Sequence, residues 1–398
     1  MSKLEELIQQ FCPDGVEYVK LGDIEAQGLI KLGRGNVISK EDMRACPGDY
    51  PVYSSSSVGD GEIGRYGKYM FDDERISWSI DGGGKFFYRN NLKYSITNVS
   101  GWLKVLDTNK INTKYLFFTL MNEWVKKVYD YTHKAHPSVI REEYELPVPP
   151  LPVQEEIVRI LDTFTELQAE LQAELQKRLQ QYNYYRDYLF TTFSPEKEVK
   201  ECSLGEIGTF TRGNGLQKKD FTETGVGCIH YGQIYTRFGA FTDKTLTYVD
   251  EELASHLLQV EKGNLVIACT SENVEDICKC VAWLGDENIC TGGHACVFRH
   301  QQNPKYISYF FQTEYFFNQK VKYTYGTKVK DIKPDSIAKI RIPLPSLEEQ
   351  DRIVSILDNL YTLTNDLSQG LPAEIEKRKQ QYEFYRDKLL TFKRIGND

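Results

Sequence analysis

Cys269, Cys278, Cys280, Cys290, His294 and Cys296 fall within 28 residues of one another and are the densest set of metal-ligating types in the chain. A structural zinc site takes four such ligands, commonly as cysteine pairs two residues apart. Cys278-Lys-Cys280 is too short for that knuckle, and the flanking runs Leu265-Val-Ile-Ala-Cys269, Cys280-Val-Ala-Trp283 and Ala295-Cys-Val-Phe298 read as strands. The favoured reading is therefore buried thiols in a β-rich core without a metal, with a metal site at 269–296 as the alternative. Catalytic blocks are equally hard to place. Pro147-Val-Pro-Pro-Leu151 is not the Asn/Asp-Pro-Pro-Tyr/Phe loop of an amino-methyltransferase, and Gly82-Gly-Gly-Lys85 lacks the spacing of a phosphate-cradling loop. A nuclease-type cluster of carboxylates and lysine is not evident either.

What remains is a set of hydrogen-bond donors at matching places in two segments. Arg34, Asn36 and Lys40 answer to Arg212, Asn214, Gln217 and Lys218. Lys127, His133, Lys134 and His136 answer to Lys320, Lys322, Lys328, Lys330 and Lys333. Ser54 and Ser55 open a turn-rich stretch reaching Gly61, Tyr231 and Gln233 lie in Ile229-His-Tyr-Gly-Gln-Ile-Tyr235, and Thr327 precedes Lys328. Lysine and arginine suit phosphate, while Asn, Gln and Arg can read base edges. These are the candidate nucleic-acid contacts. The 13% of aromatic residues belong mainly to cores, with a few free to stack in loops.

The net charge of −8 works against tight binding to phosphate. It is unevenly spread: residues 1–150 carry −2 and 201–345 carry −1, whereas the short stretches 151–200 and 346–398 carry −3 and −2. Two near-neutral domains can each present a basic face, but their long-range pull on DNA is weak and a more basic partner would help. Nine cysteines, the absence of a long apolar run and an N-terminus without a signal-peptide core point to a reduced, cytoplasmic setting.

The positioning elements repeat. Pro147–Gln154 followed by Ile157-Val-Arg-Ile-Leu-Asp162 recurs as Pro343–Gln350 followed by Ile353-Val-Ser-Ile-Leu-Asp358, and Gln180–Asp187 recurs as Gln380–Asp387. Weaker echoes join Leu21–Ile24 to Leu204–Ile207 and Arg34–Asn36 to Arg212–Asn214. The fold class is α+β: mixed α/β domains at 1–150 and 196–345 alternate with helical segments at 151–195 and 346–398. In the first helix Ile157, Ile160, Phe164, Leu167, Leu171 and Leu175 make an apolar stripe, and in the second Ile353, Ile356, Leu360, Leu363 and Leu367 do so. The stripes predict an antiparallel coiled coil with apolar surface left for another subunit. A helix over 153–190 would be roughly 57 Å long, closed by Ser194-Pro195, and Gly370-Leu-Pro372 predicts a kink or restart in the second. Helix is also expected over 113–128 and 304–321. Gln168-Ala-Glu-Leu171 and Gln172-Ala-Glu-Leu175 form a four-residue repeat, each unit adding about 6 Å.

This order, with Cys12-Pro-Asp-Gly-Val-Glu-Tyr18 and Leu21-Gly-Asp-Ile24 at the start and Tyr325-Gly-Thr-Lys328 leading to Ile342-Pro-Leu-Pro345, resembles type I restriction-modification specificity subunits over essentially the whole chain. The resemblance implies two target-recognition domains, each reading half of a split, asymmetric double-stranded DNA site. It implies docking of two modification subunits, which bind S-adenosylmethionine and methylate adenine, and through them of restriction subunits using ATP and magnesium. No cofactor and no catalytic residue would belong to this chain, and the four-residue units look like the spacer repeats of some members. A competing reading is a coiled-coil scaffold whose globular domains bind protein.

Overall fold

The computed structural model describes residues 2–55, 59–130, 132–193, 199–365 and 369–396. The chain forms two compact units, Met1–Glu170 with Glu376–Asp398, and Leu171–Ile375. In the first, an antiparallel sheet runs in the order Ile30–Arg34, Ser100–Val105, Arg75–Ser79, Phe86–Arg89. Ile30, Leu32, Ile76, Trp78 and Leu103 bury one core there. A three-stranded sheet, Glu62–Tyr66, Tyr50–Tyr53, Ser95–Ile96, carries a smaller one around Tyr94. The C-terminal end of the chain closes onto this same unit, where Val16 N–H donates to Lys393 O at 2.8 Å and Arg394 pairs with Glu145 at 2.6 Å.

The second unit has a five-stranded sheet in the order Gly208–Arg212, Ala295–His300, Leu265–Ala268, Cys280–Trp283, Phe241–Thr242. A four-stranded sheet joins Thr247–Val249, Val226–Ile229, Ile289–Thr291 and Leu258–Val260. The three expected strands are present within a residue or two, and Leu265–Ala268 and Cys280–Trp283 are buried along their whole length, as continuous apolar runs require. Cys269, Cys278, Cys280 and Cys296 point into this core, where burial pushes the Cys280 thiol up to about 12. Expected helix 113–128 is Thr113–Trp124, but expected helix 304–321 is two helices, Pro304–Phe310 and Glu314–Lys320. Thr313 breaks it by capping the second, accepting from Phe316 N–H at 3.1 Å.

The first long helix spans Leu151–Thr191, 41 residues. Pro152 sits in its first turn, where a missing N–H costs nothing; the Ser194-Pro195 stop lies outside the described residues. The second copy is split into Leu347–Asn365 and Leu371–Leu389, so the Gly370-Leu-Pro372 signal is a restart. A Cβ on Gly370 would lie 2.3 Å from Thr362 O, so no larger residue fits the turn.

Each helix pairs with another inside its unit. Phe164 stacks on Tyr385 at 5.5 Å and meets Tyr382 edge-on in the first, and Tyr182 meets Tyr361 at 6.1 Å in the second. The buried stripe differs from the sequence reading. Ile157 and Ile353 are fully buried against the globular core of their own units, which corrects their assignment as surface for another subunit. Leu161 and Leu357, absent from the expected stripes, are fully buried beside them. Ile160, Phe164, Leu167, Leu171, Leu175, Ile356 and Leu360 are half-buried, Leu363 is exposed, and Leu367 lies outside the described residues.

The repeated Pro-rich corners hold the helices to the domains through matching contacts. Gln154, fully buried, donates from Nε2 to Lys110 O at 2.9 Å and Pro149 O at 2.7 Å, and accepts at Oε1 from Asn112 N–H. Gln350 donates to Gln302 Oε1 and Pro345 O, both at 3.0 Å, and accepts from Asn303 N–H at 3.1 Å. Asn112 and Asn303 in turn cap the helices beginning at Thr113 and Pro304. Lys114–Asp162 and Lys305–Asp358, each 2.7 Å, bind those helices to the long ones. Tyr115 and Tyr306 donate to the carbonyls of Pro147 and Pro343. Replacing Gln154 or Gln350 by Met keeps the volume but strands one buried and two part-buried polar groups, and each change should cost about 2 kcal/mol. Thermal unfolding of the two variants checks this; a loss below about 0.5 kcal/mol at both would refute the clamp.

Candidate nucleic-acid interface

In the first unit the ends of several strands bring candidate donors to one place. The Arg34 guanidinium donates to Asn98 O at 2.7 and 3.1 Å, and Asn36 N–H to Ile96 O at 3.2 Å. Ser54 Oγ lies 2.8 Å from Thr97 Oγ1, so Ser54 joins the same rim. Ser79 Oγ donates to Ser55 O and accepts from Gly82 N–H, which locks the Ser55 loop over Gly82. A side chain at Gly82 would collide with Ser55 O, so glycine is required there. Lys134 pairs with the neighbouring Asp81 at 3.0 Å. Lys127 lies over the Tyr144 ring, His136 is half-buried just before the helix Pro137–Glu143, and Lys40 is exposed at the start of Lys40–Ala45.

The second unit gathers its candidates around a hairpin. Thr270–Ser271 pairs with Lys330–Asp331, and Tyr325 and Asp331 form a bridge that closes the turn between them. Arg212 makes a fork to the Asp331 carboxylate at 3.1 and 2.7 Å, and Tyr325 OH adds a third bond at 2.9 Å. Burial alone would raise the Asp331 carboxyl; the bonds from Arg212 and Tyr325 hold it below the ordinary range. Thr327 and Lys328 are exposed at the tip, with Val329 58% exposed. A cavity of about 340 Å³ opens beside the hairpin, lined by Val329, Tyr231, Tyr235, Ser271 and Asn273. Tyr231 also packs on His294 at 4.8 Å and on His230 at 4.5 Å. Burial, then the charges of Lys218 and His294, hold the His230 imidazole below its usual pKa. Asn214, Gln217 and Lys218 are exposed.

Several candidates are committed elsewhere. Lys320, read from sequence as a phosphate contact, is buried and donates to Glu275 O at 2.9 Å and Ile277 O at 2.6 Å; burial lowers its amine's pKa. Gln233 closes a capping box, receiving His230 N–H and donating to Thr247, rather than pointing outward. Lys330 spans the hairpin to Gly326 O at 2.9 Å. Arg212 is held by Asp331. Lys322 stays exposed. The sequence reading missed Asp331, Asp81 and Asn273, and noted His294 only with the cysteines; of the three, only Asp331, next to the noted Lys330, carried a local signal.

Two domains of one design, each presenting strand-end loops with donors and each tied to paired helices by the same clamp, define a duplicated recognition module. The type I restriction modification DNA specificity domain family matches twice, at residues 13–181 and 196–377. The chain is 32% identical over 295 residues to the type I restriction enzyme EcoR124I/EcoR124II specificity subunit of Escherichia coli, covering 72% of each. A type I specificity subunit of Mycoplasma pneumoniae is 31% identical over 346 residues, 83% of this chain and 97% of the relative. The crystal structure of the S subunit of the type I restriction-modification system of M. genitalium superposes with a TM-score of 0.55 at 15% identity, covering 94% of this chain and 96% of that one. The chain belongs to the type I restriction-modification specificity subunit family. Among the described residues no helix is long and apolar enough to cross a membrane.

The different settings of two lysines give a direct check. Lys320→Met should lower stability by about 2 kcal/mol, because two buried carbonyls lose their donor. Lys328→Ala should change it by less than about 0.5 kcal/mol. Melting temperatures of the two variants test the contrast, and equal effects would contradict the assigned environments.

Proposed function

We propose that this chain reads a split, asymmetric DNA site for a type I complex and contributes no catalytic group of its own. The observation that carries this reading is the contrast between the two units. Their clamps share most contacts, whereas their exposed rims do not: Arg34 holds a backbone carbonyl where Arg212 holds Asp331, and Gly82 is covered by Ser55 where Ser271 and Asn273 line an open cavity. One scaffold with two unlike rims fits two unlike half-sites, with residues 1–150 and 196–345 as readers and 151–195 and 346–398 as helical spacers.

On this reading the half-buried and exposed apolar residues Ile160, Phe164, Leu360 and Leu363 help to dock two modification subunits. Those subunits supply S-adenosylmethionine chemistry and much of the phosphate contact that a chain of net charge −8 lacks. Restriction subunits, with ATP and magnesium, join through that complex in the cytoplasm. The rim donors Arg34, Asn36, Ser54, Asn214, Gln217, Lys218, Thr327 and Lys328 are the DNA contacts, while Lys134, paired with Asp81, braces the first rim. The unit Gln172-Ala-Glu-Leu175 acts as a spacer.

Sequencing methyladenine in cells with and without this gene, with its modification partner present, tests the reading. Methylation at one split motif with unlike halves should vanish with the gene; a perfect palindrome, or an unchanged map, would overturn it. Deleting Gln172–Leu175 removes about 6 Å of helix, which should shorten the unspecified gap by about one to two base pairs and leave both half-sites intact. The same methylation map reads this out, and an unaltered gap would remove the spacer role.

A further inference from the structure

Arg212 has the residue type and the location of a phosphate contact, yet its guanidinium is spent on Asp331 through two bonds. We propose that Arg212 is a positioning residue, and that what it positions is the hairpin Tyr325–Asp331, whose tip Thr327–Lys328–Val329 reads the half-site assigned to the second domain. This inference rests on the DNA-reading function proposed above and assigns its specificity to a particular element.

The hairpin is built to be stiff at its base and free at its tip. Asp331 receives Arg212 from the five-stranded sheet and Tyr325 from the opposite side of the turn, and its backbone pairs with Thr270 next to the core. Ile332 N–H donates to Cys269 O at 3.1 Å, fastening the exit strand to a buried residue. Lys330 Nζ closes the loop onto Gly326 O, and Gly326 has φ +97°, where a Cβ would lie 2.0 Å from Val329 O. Such a turn admits only glycine without strain. Beyond these ties stand three consecutive exposed residues of complementary chemistry. Thr327 offers a hydroxyl, Lys328 a cation that suits guanine O6 and N7 or a phosphate, and Val329 an apolar surface that suits the thymine methyl. The first unit fastens the matching point with the same backbone bond, Ala135 N–H to Ile80 O at 3.2 Å, but braces it with Lys134–Asp81. The brace is thus particular to each domain.

A direct contact and a brace leave different traces. Loss of a phosphate contact weakens binding to all sequences alike and lowers the salt slope by about one. Loss of a brace loosens the reading of one half-site and leaves the salt slope alone. The experiment uses the full chain assembled with its modification subunits and duplexes carrying the mapped site, the site with its first half scrambled, or the site with its second half scrambled. Arg212→Ala and Asp331→Ala should each reduce discrimination against one scrambled half, the same half for both, by roughly ten- to a hundredfold. Discrimination against the other half and the salt slope should be unchanged. The exchanged pair Arg212→Asp with Asp331→Arg should recover at least part of the loss. Thr327→Ala with Val329→Ala, at the exposed tip and harmless to folding, should relax that same half and is decisive should the Arg212 variants not fold. A uniform weakening with a smaller salt slope in Arg212→Ala would make Arg212 a direct contact and overturn the proposal. Unchanged discrimination in the tip variant would do so as well. Should the unaltered complex bind no sequence preferentially, it is the DNA-reading function that fails first, and the hairpin assignment falls with it.

Discussion

A long helix whose end lies against a proline-rich turn has no regular way to bury that corner, because the prolines lack N–H groups and leave carbonyls without partners. In both halves of this protein one buried glutamine meets that need. A carboxamide donates and accepts at once, so Gln154 ties the carbonyls of Pro149 and Lys110 to the N–H of Asn112, and Gln350 does the same work around Pro345 and Asn303. Everything downstream follows from the corner. The capped helix, its tyrosine bonded back to the proline carbonyl and its lysine paired with the long helix are all in place only if that turn is fixed. A buried polar group so fully satisfied gives the junction one geometry, which a purely apolar corner would not.

The clamp also explains how two domains of differing loops can share one support. Its members lie in short segments around residues 110–115, 147–162, 302–306 and 343–358, none of which contains a rim residue. The rims are held by separate means: Ser79 and Gly82 in one unit, Arg212 and Asp331 in the other. Support and recognition therefore draw on different residues within the same domain.

The repeat, the long helix, the restart at Gly370 and the central strands were legible in the sequence because each has a local cause: periodicity, proline, glycine or an unbroken apolar run. The helix stripe was read too narrowly. Ile160 and Phe164 fit a helix facing another helix, whereas Leu161 and Leu357, one turn beyond Ile157 and Ile353, are buried because each helix also faces a globular core. The site was legible only in part. Exposed lysines and asparagines announce themselves by type, but whether Lys320 reaches solvent or Arg212 meets a carboxylate depends on partners 43 to 119 residues away. Asp331 was visible beside Lys330; Asp81, His294 and Asn273 acquire meaning only from the neighbours that folding brings to them.

The tip Thr327–Val329 touches little of the protein that carries it. Residues so placed contribute little to folding stability, so substitutions there leave the core intact. The brace behind them keeps each new side chain at the same height and angle, so a mutation alters what is displayed without disturbing how it is displayed. Display and support are thus separable parts, and a tip of this kind can be exchanged for another without rebuilding the frame that carries it.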